Sequence, residues 1–130
     1  LADYQNLKRE TDAKRVEWVQ DAQIRALHSF LPIYENMRKA FAHMPQDQVG
    51  SGWQAWASGC TQILKQFDDV LKQMNIEPIK TVGMQFDPRL HEALAERDGG
   101  KESGEILEEA EAGFKSGDRV IKPAKVIINK

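Results

Sequence analysis

Between Ala2 and His43 the chain has no glycine, and its only proline there is Pro32. No other feature restricts the fold so strongly. The stretch is rich in helix formers. Glu10 with Lys14, Asp21 with Arg25 and Glu35 with Lys39 each place an acid one turn before a base, the order that supports a helix. One helix through all of it would be about 60 Å long, more than a compact domain of this size can use. Its apolar residues therefore need cover. From Tyr4 to Ala22 they form a thin seam of Tyr4, Leu7, Thr11, Trp18 and Ala22, interrupted by Arg15. Leu7 and Trp18 stand eleven residues apart, which suits a nearly straight or slightly right-handed helix pair better than a leucine zipper. From Ile24 the stripe fills out through Leu27, Leu31, Tyr34 and Phe41, with Phe30, Ile33 and Met37 beside it, the width of a bundle helix. Pro32 removes a backbone donor and disfavours helical geometry at Leu31, which predicts a kink or break near Ser29–Pro32. A self-paired stalk is preferred to an amphipathic helix folded over its own domain.

His43–Gly52 reads as a loop, broken by Pro45, Gly50 and Gly52, and Ser51 with Gln54 form a candidate capping box for a second helix. That helix has the cleanest periodicity in the chain: Trp53, Trp56, Cys60, Ile63, Phe67, Val70 and Met74, widened by Leu64 and Leu71. Each large side chain buried there is worth roughly 1.5–3 kcal/mol. Antiparallel packing on Ile24–Phe41, doubled by self-association, makes a four-helix bundle. Gly59 lies inside this helix off the main stripe, at a cost of about 1 kcal/mol against alanine. It marks either a close approach by a neighbour or a tolerated blemish. Asn75 can take the left-handed conformation that ends a helix, with Ile76 folding back onto it.

Beyond Ile76, nine glycines and prolines from Pro78 to Pro123 punctuate short segments of strand character. Lys125–Asn129 is a strand, and Ser116–Gly117–Asp118 a tight turn joining Arg119–Ile121 to the segment before it. Gly99–Gly100 reads as a hairpin or flexible loop. Glu105–Ala112 has helix-forming composition and on propensity is a helix.

Charge and chemistry narrow the function classes. Lys and Arg total 18 against 20 Asp and Glu, and the mixed signs argue against nucleic acid or an acidic membrane as main partner. No apolar run is long enough to span a membrane, and LADYQNLKRE has no signal-peptide core. It also has no initiator methionine or capping residue, so the chain is expected to begin inside a longer helix. The single cysteine, Cys60, lies on an apolar helix face, where an inert core thiol is the favoured reading, and points to the cytoplasm. His28, His43 and His91 have no partners at metal-ligand spacing, and His91 and Glu92 on a strand point to opposite faces. No glycine-rich loop opens a helix in a phosphate-binding arrangement. Neither a cofactor nor a metal is implied. The chain reads as one that touches other proteins rather than as an enzyme.

Five segments in order carry a resemblance: NLKRET at Asn6–Thr11, FLPIYENMRKAF at Phe30–Phe41, GCTQILKQFDDVLKQMNIEPI at Gly59–Ile79, VGMQFDPRLHEAL at Val82–Leu94, and GF at Gly113–Phe114 leading into RVIKPAKVIINK at Arg119–Lys130. Together, over nearly the whole chain, they resemble GrpE, the nucleotide exchange factor of DnaK-type chaperones. The most specific pieces are FDPRLHEAL and RVIKPAKV.

The resemblance implies an α+β homodimer with a long paired helical stalk, a dimeric four-helix bundle and a small C-terminal all-β domain. Residues 1–45 would be stalk and first bundle helix, 46–75 the loop and second bundle helix, and 76–130 the β domain. It implies that the β domain grips the chaperone's ATPase domain and opens its cleft for ADP release, with no direct nucleotide binding, and that the stalk responds to heat. Partner-facing positions would be Phe86 and Pro88, with Arg119 and Ile128 in the last strands, and Lys39 and Lys8 on the helical surface. Gly59 matches a family glycine whose small size matters for the complex. The resemblance also implies strand at Glu105–Ala112. Glu109 and Ala110 depart from the larger apolar residues common in the family, and Asn75 stands for its usual glycine. The alternative is a coiled-coil adaptor whose β domain binds an unrelated protein, from which FDPRLHEAL distinguishes the exchange factor.

Overall fold

A computed structural model of the chain describes residues 1–45, 47 and 50–130, and Ser51 by its backbone only. The fold is α+β. Helix α1 runs from Ala2 to Ala42 and α2 from Ser51 to Gln73. Six short strands follow: β1 Glu77–Pro78, β2 His91–Arg97, β3 Ile106–Glu111, β4 Phe114–Ser116, β5 Arg119–Lys122 and β6 Ala124–Asn129. The chain divides into two compact units, Leu1–Pro32 and Ile33–Lys130.

Within the first unit every residue up to Gln20 is exposed, including Tyr4, Leu7, Val16, Trp18 and Val19. The thin seam is thus exposed along its length. Of the kink or break expected near Ser29–Pro32, the break does not occur, because α1 continues through Pro32 to Ala42. A proline inside a helix forfeits one hydrogen bond, and a helix this long has many others to keep it helical.

In the second unit the end of α1 packs antiparallel to α2. The Tyr34 ring stacks on Phe67 at 4.7 Å and its hydroxyl donates to Asp68, while Phe41 and Ala42 share a groove with Trp53 and Ala57. Tyr34 also meets Phe114 of β4, with centroids 6.1 Å apart, so one tyrosine joins both helices to the β region. The end of α2 follows the expectation for Asn75. That residue has φ 58°, its N–H donates to Lys72 C=O, and the Ile76 N–H reaches Leu71 C=O at 2.8 Å. Ile76 is buried. The loop read at His43–Gly52 falls partly outside the described residues, at Gln46, Gln48 and Val49. So does the Ser51 side chain on which the capping box rested. Gly50 holds the N-cap position, with no side-chain cap hydrogen bond.

The strands form two three-stranded sheets, β1-β4-β5 and β2-β6-β3. The first is antiparallel; in the second, β6 lies parallel to β2 and antiparallel to β3. Pro123 carries the chain from one sheet to the other. Here Gly113 is needed for close approach, since a Cβ on it would lie 2.3 Å from the Ala124 nitrogen. Gly117, at φ 58°, makes the tight turn between β4 and β5. Ile79, Ile106, Ala124 and Val126 form the core, with Phe86, Leu90, Val120 and Ile128 packed against it.

Two expectations are corrected here. Glu105–Ala112 is not a helix: β3 fills it, as the family resemblance implies. Burial of Ile106 and pairing with β6 outweigh a propensity difference of a few tenths of a kcal/mol per residue. The Gly99–Gly100 segment is not a hairpin, because β2 and β3 flank β6 and do not pair with each other. Nor is it loose: both glycine N–H groups donate to Asn129 Oδ1, at 3.2 and 3.1 Å.

Candidate functional site

The FDPRLHEAL segment forms a turn leading into β2. The Phe86 N–H donates to Gly104 C=O at 2.9 Å, and the half-buried ring packs on the β core. Asp87 then closes an Asx turn, with its Oδ1 accepting the Arg89 N–H at 2.9 Å. Its Oδ2 lies 3.0 Å from Arg89 Nη2. The side-chain and backbone hydrogen bonds from Arg89 hold the Asp87 carboxyl below the usual carboxylate range. The Leu90 and His91 N–H groups both reach Asp87 C=O, at 3.0 and 2.8 Å. Pro88, exposed at the apex, has its φ set by its ring. A turn with this many internal bonds is stiff.

Asp87 and Arg89 share a shallow hollow of about 350 Å³ with Gly117 and Asp118 of the β4–β5 turn. Arg119 follows that turn at the start of β5 and is exposed. Ile128 is half-buried on β6 and packs on the same core as Phe86. Lys39 is exposed in the last turn of α1. Gly59 is exposed on α2, and a Cβ there would meet nothing within 4 Å among the described residues, none of which therefore demands glycine. Lys8 is exposed in the other compact unit. Lys39 lines a hollow with Glu109, Ala110 and Ala112.

Sequence reasoning missed two side chains. Val82 and Met84 are exposed in the turn just before Phe86, where the lack of periodicity hid them. Two apolar residues around a glycine, outside any helix or strand pattern, were the available signal. Glu109 accepts from Thr81 at 2.6 Å and lies 3.9 Å from Arg38, so it serves as a polar tie. Among the described residues no three His, Cys, Asp or Glu side chains converge to hold a metal ion, and no helix is long and apolar enough to cross a membrane.

A long helix, an antiparallel partner and a two-sheet β region carrying an exposed turn define the protein's class as α+β. The family model for GrpE matches residues 1–130, and the chain belongs to the GrpE family. It is 38% identical to protein GrpE of Chlamydia abortus, over 100% of this chain and 68% of that protein. It is 33% identical to protein GrpE of Bacillus pumilus, over 99% of this chain and 69% of that protein.

Proposed function

We propose that the chain is a nucleotide exchange factor that binds the ATPase domain of a DnaK-type chaperone, opens its cleft and accelerates ADP release. It neither binds nor hydrolyses the nucleotide. The observation that carries this reading is the turn Phe86–Arg89, held by its own hydrogen bonds with Pro88 exposed at its apex. A wedge must be stiff, because a mobile tip loses binding free energy to ordering. Phe86 anchors the wedge and presents the rest of its ring, and Arg119 adds a charged contact at the rim. Ile128, Lys39, Lys8 and Gly59 extend the contact surface, and the open space at Gly59 lets a partner's backbone come close. The working form is a cytoplasmic homodimer in which residues 1–45 and 46–75 build the stalk and bundle and 76–130 the β domain. Its stalk is the heat-responsive part.

The test is stopped-flow release of a fluorescent ADP from the chaperone at equal dimer concentration. Phe86→Ala combined with Arg119→Ala is expected to slow stimulated release at least tenfold, about 1.4 kcal/mol. Because Phe86 also packs on the core, Phe86→Leu with Arg119→Ala is run alongside, and circular dichroism confirms the fold of both. Equal rates in folded variants and wild type would show that this turn is not the wedge.

A further inference from the structure

His91 is buried beneath the exchange turn, and both of its ring nitrogens are engaged. Nδ1 lies 3.0 Å from the Asp87 nitrogen, and Nε2 lies 2.8 Å from Lys80 C=O. The partners fix the tautomer. A backbone N–H can only donate, so Nδ1 accepts; a carbonyl can only accept, so Nε2 carries the proton. The ring also packs against Phe86, with centroids 6.0 Å apart. One neutral imidazole thus ties the middle of the turn to the segment after β1 and supports the aromatic ring beside it.

We propose that His91 is the positioning residue of the exchange turn: its ring accepts the Asp87 amide and donates to Lys80, and so sets where the stiff turn sits on the β domain. The proposal rests on the wedge reading above. The internal bonds of the turn keep its shape, and the bridge from Asp87 through the ring to Lys80 C=O fixes its position. The charged groups around the ring are the Asp87 carboxylate, tied to Arg89, and Lys80. Glu77 of β1 and Lys115 of β4 line the same hollow, paired at 3.7 Å. From β6 the residue opposite His91 is Ala124, which carries no charge.

Two variants separate the latch from simple packing. In His91→Asn the amide oxygen stands where Nδ1 stood and accepts from Asp87. In His91→Gln the amide nitrogen reaches toward Lys80 and the acceptor for Asp87 is lost. Two quantities are measured: the exchange protection of the Asp87 amide by NMR, and stimulated ADP release. Wild type and His91→Asn are expected to protect the Asp87 amide, and His91→Gln to lack that protection. Release stimulated by His91→Gln should be about fivefold slower than by His91→Asn, the effect of one hydrogen bond. Circular dichroism on the same samples confirms that each is folded. Asp87 protection that is equal in wild type and His91→Gln overturns the latch. If the amide behaves as expected while release responds to neither variant, the latch stands and the wedge reading fails.

Discussion

At the scale of single residues, Lys122 concentrates much of the unit's electrostatics. From β5 its Nζ reaches Glu35 Oε2 of α1 at 2.9 Å and Glu111 Oε2 of β3 at 3.5 Å. Lys125 holds the same Glu111 oxygen at 3.2 Å, and this hydrogen bond is the main reason the Glu111 carboxyl sits below the usual range. Glu35 is buried, and its Oε1 has no hydrogen-bond partner among the described residues. Lys122→Met is therefore expected to lower the unfolding free energy by about 3 kcal/mol, because a buried carboxylate loses its counterion. Glu35→Leu with Lys122→Met should cost much less, since no charge is then left buried. Urea unfolding compares the three proteins, and equal losses in single and double variants would assign the effect to packing. Tyr34 provides a second handle. Burial, helped by the hydrogen bond to Asp68, pushes its phenol up to about 12. The folded chain then keeps a proton that the unfolded chain loses near pH 10, so this stabilisation is full below about pH 10 and lost as pH rises toward about 12. The stability difference between wild type and Tyr34→Phe should shrink over that interval, as followed by urea unfolding at each pH.

At the scale of elements, the two ends of α1 contrast. Tyr34 and Glu35 are buried with α2 and the strands, whereas residues up to Gln20 expose their apolar side chains. A helix stretch without tertiary cover depends on local bonds and on a partner, and opens at lower free energy than a packed one. Circular dichroism should show an early, reversible helical transition that disappears when residues 1–22 are removed, followed by a later one. A single transition unaffected by the trimming would mean that α1 melts as one piece with the rest.

At the scale of the whole molecule, α2 leaves Trp56, Ile63 and Val70 about half exposed, one heptad apart. Cys60 and Leu71 are buried, so α2 has an inner face turned to its own chain and an outer one turned away from it. Phe30 and Ile33 are exposed on α1 as well. A second copy of the chain, laid on these residues, would bury several large side chains at roughly 1.5–3 kcal/mol each. Trp56→Asp with Ile63→Asp should turn a dimer into a monomer at micromolar concentration in analytical ultracentrifugation. A wild-type monomer, or a variant that stays dimeric, would send the interface elsewhere.

Much of this was legible in the amino-acid order because it depends on local rules. The long helix follows from an unbroken run of helix formers, the end of α2 from Asn75 and Ile76, and the β4–β5 turn from Gly117. The Asx turn at Asp87 is a property of three consecutive residues. What stayed hidden depends on partners far along the chain. Glu105–Ala112 becomes a strand because β6 offers it hydrogen bonds and the core takes Ile106. α1 passes Pro32 because the rest of the helix carries the loss of one bond. The periodicity of α2 drew a single broad stripe, and only the packing of Tyr34 on Phe67 divided it into an inner and an outer face. His91 showed only that it has no partner at metal-ligand spacing, since its two bonds run to the backbone of Lys80 and Asp87. A backbone group has no side-chain identity to read, so its position is decided by the tertiary fold alone.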